Sequence, residues 1–343
     1  MNMAWKEIKK SKAKFVIVGS IIFLISFLTF IISGLANGLS QDNSALIKGM
    51  PKGHFYMTSD ADDTYNLSRI DSEQQARALS QYPDAFALSI QMGFVNDEND
   101  KQHSVAFVAT TESELFPTVQ QGEVVLNSDI EADGISLHSQ LTNNQFSGQL
   151  SVIDFANEQK FSHADVAFIH ELNYKEMYRT MSMQLLFIPG NDAPVIDGLV
   201  SFSNNAFLNT IPSYSAEQMT LNMIIWFLIG ISGLLFAIFF YMMNVQKIGL
   251  YGILKAIGVK TSTLFRMMWT QMIVITVIAL ILSIAASQLF NAVAPAGMPF
   301  HLSLSATIML SILFLIIGFV GATLSGIQIK KVEPLQAIQQ GEM

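Results

Sequence analysis

The stretch LNMIIWFLIGISGLLFAIFFYMM, residues 221–243, carries no charged side chain. A helix needs roughly 20 apolar residues to cross a hydrocarbon core of about 30 Å, and this run is long enough. Its flanks differ in charge. Towards the C-terminus stand Lys247, Lys255, Lys260 and Arg266; towards the N-terminus the first ionisable residue is Glu217, at the edge of a long acid-rich region. Lys and Arg beside a span resist translocation, so the basic flank reads as cytosolic and the acidic flank as external.

Outward from this segment, residues 15–35 and 302–327 repeat the pattern. Residues 269–290 do so with interruptions only by Thr270, Gln271, Thr276, Ser283, Ser287 and Gln288, side chains that a buried helix face tolerates. Hydrophobic residues make up 51% of the chain and charged ones 13%, too apolar a balance for an ordinary soluble protein. The expected organisation is an interfacial helix over 1–14, spans over 15–36, 219–243, 267–290 and 302–327, and an external domain over 37–218. A cytosolic loop over 244–266, an outer loop over 291–301 and a cytosolic tail over 328–343 complete it.

Charge supports this multi-pass reading. The segments assigned to the cytosol hold eleven Lys or Arg, among them Lys6, Lys9, Lys10, Lys12 and Lys14, against the acids Glu7, Glu333 and Glu342. The region between the first two spans reverses the balance, with eight basic and 24 acidic residues. Both termini are therefore expected in the cytosol of a cell membrane. A cleaved signal peptide at the start fits less well, because the apolar run outlasts a signal core and its removal would leave an odd number of spans. Cysteine is absent, so the external domain is expected to hold together without disulfides, and thiolate metal sites are excluded.

In the first fourteen residues Met1, Ala4, Trp5 and Ile8 share a helix face, with the lysines left for lipid head groups and water. The external region mixes two periods. Strands are expected over 86–95, 104–111, 123–126, 149–155 and 164–169, and helices over 72–82 and 173–186, the first capped by Asp71 or Ser72. The domain is therefore expected to be α+β. Asp60, Asp62 and Asp63, and again Asp97, Glu98 and Asp100, form acidic clusters read as solvated turns rather than calcium sites. His54, His103, His138, His163, His170 and His301 lack metal-ligand spacing and read as surface or packing residues.

No phosphate-binding Walker A loop, nucleophile elbow or His-Glu-x-x-His helix occurs in the chain. An enzyme is not expected, nor a nucleic-acid partner; any ATP would be bound by another chain.

Residues 248–260, IGLYGILKAIGVK, form a short helix pattern with Leu250, Ile253, Leu254 and Ile257 on one side and Lys255 opposite, interspersed with Gly249, Gly252 and Gly258. GILKAIGVKTSTLFR closely resembles the cytosolic coupling helix of the FtsX/MacB-type permeases of ABC transporters. KKVEPLQAIQ, with Val332, Glu333, Pro334 and Ala337, is similar to that family's ending, and GEVVLNSDIEADGI to one of its strands and turns. Family members often carry Glu-Ile before the helix glycine; this chain has Leu250-Tyr251. Within the family, SAEQMTLNM, FFYMMNVQKIG, PAGMPFHLS and FLISFLTFIISGLANGLS resemble the haem-exporter permeases of Gram-positive bacteria.

The resemblance implies a MacB-like type VII permease that pairs with a second copy and rests on a cytosolic ATPase dimer through Gly249, Gly252, Leu254, Lys255, Ala256, Ile257 and Gly258. It further implies haem as cargo. Glu217 would be the axial ligand of the iron, Met219 or Met223 a soft second donor, and Phe27, Leu28, Phe30 and Ile31 the apolar walls of a slot. Read without it, Glu217 marks the water interface and the aromatic and methionine residues pack or face lipid. Two alternatives keep the fold: export of an antimicrobial peptide, lipid or drug, and a mechanotransmitter without cargo.

Overall fold

The computed structural model describes residues 2–294 and 298–331. The family-like ending at Val332, Glu333, Pro334 and Ala337, most of the expected tail, Met1 and the Pro295 end of the outer-loop match lie outside the described residues. In chain order the helices are α1 (Asn2–Lys10), α2 (Lys12–Lys48), α3 (Ser72–Gln81), α4 (Glu171–Tyr178), α5 (Asn204–Leu208), α6 (Pro212–Val245), α7 (Ile248–Ala256), α8 (Thr261–Val293) and α9 (Leu304–Lys331). The strands are β1 (Gly53–Thr58), β2 (Phe86–Asn96), β3 (Gln102–Thr110), β4 (Glu123–Asn127), β5 (Gln140–Asn143), β6 (Phe146–Ala156), β7 (Lys160–Phe161), β8 (Ala164–His170), β9 (Leu185–Pro189) and β10 (Leu199–Ser203).

The chain forms two compact units, Met1–Gly38 with Thr220–Met343, and Leu39–Met219. In the first, α2, α6, α8 and α9 are each long and apolar enough to cross a membrane, and between 22% and 33% of each span's most apolar window is buried. So little internal burial leaves most apolar side chains for lipid. Contacts between helices rely on small and hydroxyl residues, which allow backbones to approach. Ser26 Oγ lies 2.6 Å from Ser283 Oγ, and Ser283 Oγ also donates to the Phe23 carbonyl at 2.9 Å. The polar residues that interrupt the third span behave as expected where they meet the core: Gln271, Thr276, Ser283 and Ser287 are all buried.

The lysine-rich end of this unit is held by polar side chains. Glu7 of α1 accepts from Gln271 Nε2 at 2.7 Å and forms an ion pair with Lys247, the residue at the N-cap of α7. Lys14 donates to Gln246. Tyr251 is buried and donates to Asn244 Oδ1 at 3.2 Å, while Asn244 Nδ2 reaches Ser325 Oγ at 3.2 Å.

The second unit is α+β. Its mixed sheet runs β10-β1-β9-β2-β3-β8-β4-β6-β5, with β7 paired to β8. β5 also pairs with the end of β2 at Asn96 and Thr142, so that half of the sheet curls back on itself. Val105, Phe107, Val124, Leu126, Leu141, Leu150 and Val152 fill the curl. The opposite face packs Phe55, Phe86, Phe168 and Phe187 against Leu46 and Ile47 from the end of α2 and Phe207 and Leu208 from α5.

Asp71 caps α3 by accepting the Glu73 N–H at 2.9 Å. The helix expected over 173–186 is shorter and starts earlier. Arg179 turns left-handed at φ 47° and ends α4, and residues 185–189 form β9 between β1 and β2. Leu185, Leu186, Phe187 and Ile188 are buried on both sheet faces, and such a run has no alternation to separate strand from helix. Strands β1, β5, β7 and β10 were likewise not expected from the pattern.

Candidate functional site

Glu217 lies in the first turns of α6, about a third exposed. The group around it is built by a hairpin remote in sequence. Between β7 and β8 the two turn residues, Ser162 and His163, have φ of 51° and 64°. Positive φ at both positions is the mark of the tight hairpin turn whose twist suits the flanking strands. The turn is fastened to the end of α2: the Ser162 N–H donates to the Asn43 carbonyl at 2.9 Å and the His163 N–H to the Asp42 carbonyl at 3.2 Å. His163 thereby presents Nε2 to Glu217 Oε1 at 2.8 Å.

Asn43, fully buried, completes the arrangement. Its Oδ1 accepts from Ser213 Oγ at 3.1 Å, and its Nδ2 lies 3.2 Å from His163 Nε2 and 3.4 Å from Glu217 Oε2. A carboxylate only accepts, so the proton sits on Nε2 and points to Oε1. Asn43 Nδ2 then has no acceptor on the imidazole and turns to Oε2. One carboxylate oxygen is thus firmly held and the other loosely. Beside the turn, Lys160 bridges Asp129 at 3.0 Å and Asp42 at 3.5 Å. Burial alone would lower the Lys160 ammonium, but these carboxylates outweigh it and hold it above the ordinary lysine range.

Sequence reasoning assigned His163 to the surface or to packing; its partner lies 54 residues away and no spacing rule connects them. Met219 and Met223 follow Glu217 on α6. At about 100° per residue, Met219 stands about 200° round the helix from Glu217 and Met223 about 240°. Both methionines are exposed. Of the expected walls, Leu28 is exposed, Ile31 is half-buried and Phe27 stacks on Phe23 at 5.9 Å. Phe30 is fully buried in the core of the membrane unit.

Among the other histidines, His170 caps α4 by accepting the Leu172 N–H at 3.1 Å. His103 lies between Asp97 at 3.3 Å and Asp133 at 3.7 Å. Among the described residues no cluster of three or more acidic or histidine side chains has the geometry of a metal site.

Residues 222–334 match the C-terminal domain of FtsX-like permeases. Over 98% of its length the chain is 30% identical to a Staphylococcus haemolyticus protein named hemin transport system permease protein HrtB, of which it covers 99%. The chain belongs to this permease family. A Staphylococcus epidermidis protein of the same name is 26% identical over the whole of both chains. The periplasmic region of MacB from Actinobacillus actinomycetemcomitans is similar at 9% identity and a TM-score of 0.36, covering 48% of this chain and 95% of that one.

As a permease of an ABC transporter, the chain works in a membrane with an ATPase subunit. Helix α7, in the loop between the second and third spans, exposes Gly249, Leu250, Ile253, Ala256 and Ile257 as a continuous face. Of the remaining residues assigned to ATPase contact, Gly252 is buried, Leu254 packs on the membrane core and Lys255 is half-buried. Gly258 ends the helix at φ 93°. Its N–H donates to the Lys255 carbonyl at 3.0 Å and the Val259 N–H to the Leu254 carbonyl at 2.9 Å, the paired bonds of a glycine-terminated helix.

Proposed function

We propose that this permease expels haem from the membrane to the outside through a lateral slot formed by the first and second spans of a homodimer, driven by a cytosolic ATPase dimer. The carrying observation is the Glu217 carboxylate, part-exposed and oriented by His163 and Asn43. The naming of full-length relatives as hemin transport permeases supports the cargo.

Haem is an apolar macrocycle whose iron accepts an axial ligand. A ligating carboxylate performs best when a second group fixes its orientation. Here Oε2 of Glu217 offers itself to the iron while Oε1 stays on His163. The termini and α7 lie in the cytosol, and the exposed apolar face of α7 rests on the ATPase. When ATP closes the ATPase dimer, α7 moves with it. Helix α6 has 34 residues without a break, roughly 50 Å at 1.5 Å per residue, and carries that displacement from Val245 towards Glu217. Narrowing of the slot then strips haem from its ligand.

The test is a titration of haem into detergent-solubilised wild type, Glu217→Ala and Met219→Ala. Wild type and Met219→Ala are expected to give the same Soret shift and Glu217→Ala to lose it. Equal spectra in all three would remove Glu217 as ligand.

A further inference from the structure

A groove of about 710 Å³ runs along the membrane unit between α1, the start of α2 and the middle of α8. Ile8, Phe15 and Phe23 wall it on one side and Ile278, Leu282 and Ala286 on the other. Lys9 and Lys12, both exposed, stand at its mouth, with Lys9 Nζ 5.8 Å over the ring of Trp5. No acidic residue lines it.

We propose that this groove is a specific site for one anionic glycerophospholipid, its acyl chain along α8 and its phosphate between Lys9 and Lys12. The depth matches. From Val274 to Ala286 the groove follows twelve residues of α8, about 18 Å, and from Lys12 to Phe23 eleven residues of α2, about 16 Å. One leaflet contributes about half of a 30 Å hydrocarbon core. The groove is one leaflet deep and its charge lies at the head-group end.

Charge selects the class of lipid. Lys14 is held by Gln246 and Lys247 by Glu7, and of Lys6, Lys9, Lys10 and Lys12 it is Lys9 and Lys12 that line the groove and can meet a phosphate there. Haem suits the groove less well, since no His, Met, Tyr or carboxylate lines it to bind iron. A second copy packed here about a two-fold axis would set four ammonium groups together.

The test is native mass spectrometry of the purified full chain in detergent with equal phosphatidylglycerol and phosphatidylcholine. Wild type is expected to retain phosphatidylglycerol about tenfold over phosphatidylcholine. Lys9→Gln/Lys12→Gln should lose the preference and Ala286→Trp, which shortens the groove, should lose retention of both lipids. The charge-matched control Lys6→Gln/Lys10→Gln should behave as wild type. Equal retention by wild type, or equal loss of preference in both double variants, would overturn the site in favour of diffuse attraction. Displacement of the lipid by hemin in a Lys9- and Lys12-dependent manner would overturn it in favour of a haem groove.

Discussion

His163 Nε2 stands 2.8 Å from Glu217 Oε1 and binds a hairpin turn to the first turns of α6. The pair is part-exposed, and such pairs contribute at most about 1 kcal/mol to stability. Its consequence is orientation. His163→Ala should leave the thermal midpoint of the solubilised protein within a few degrees of wild type while weakening haem binding about tenfold, as loss of a group orienting a metal ligand does. His163→Gln, which can still donate to Oε1, should recover part of the affinity. Unchanged haem affinity in His163→Ala would separate the two residues functionally.

Gly258 and Gly249 predict different outcomes at the two ends of α7. At φ 93° a side chain on Gly258 is strained, so Gly258→Ala should cost about 1 kcal/mol locally and loosen the end of the helix. Gly249 has open space where a Cβ would stand. Gly249→Ala should therefore be silent, and Gly249→Trp should act only through the docked ATPase. Cargo-stimulated ATP hydrolysis by the complex should fall in Gly258→Ala and Gly249→Trp and persist in Gly249→Ala.

The ion pair of Glu7 with Lys247 ties α1 to the start of α7, and both side chains are largely buried. Removing one partner leaves an uncompensated charge; Glu7→Ala or Lys247→Ala should destabilise the membrane unit by about 3 kcal/mol. The exchange Glu7→Lys/Lys247→Glu should restore part of the loss, measured as the thermal midpoint in detergent. Failure of the double exchange to improve on either single variant would show that the charges do not act as a pair.

Asp97 connects the external domain to pH. Burial pushes its carboxyl up, but N–H bonds from Lys101 at 2.9 Å and Asn99 at 2.8 Å, together with His103, outweigh this and hold it below the usual carboxylate value of 3.8. A carboxyl lowered on folding contributes stability that is fully present above its unfolded value and is lost as pH falls through the folded one. Asp97→Asn should thus lower the thermal midpoint at pH 7 and flatten its fall below about pH 4, where variant and wild type converge. An identical acid profile for variant and wild type would remove Asp97 as its source.

The sequence alone determined the elements whose periodicity is local. Four apolar runs and the distribution of lysines define the spans, because each run satisfies its backbone and its length requirement by itself. β2, β3, β4 and β8 were legible to within two residues at each end, since they begin and end at clear changes of pattern. Helix α7 could be recognised from the spacing of Leu250, Ile253 and Ile257. β9 was not legible, because a strand buried on both faces has lost the alternation that marks it. The tertiary structure decided which titratable groups meet. His163 reaches Glu217, and Glu7 reaches Lys247, across distances in sequence that no spacing rule covers. Such contacts follow from the left-handed turn at Ser162 and His163 and from the packing of α1 on α8, where backbone geometry and core shape, not local propensity, set the position of each side chain.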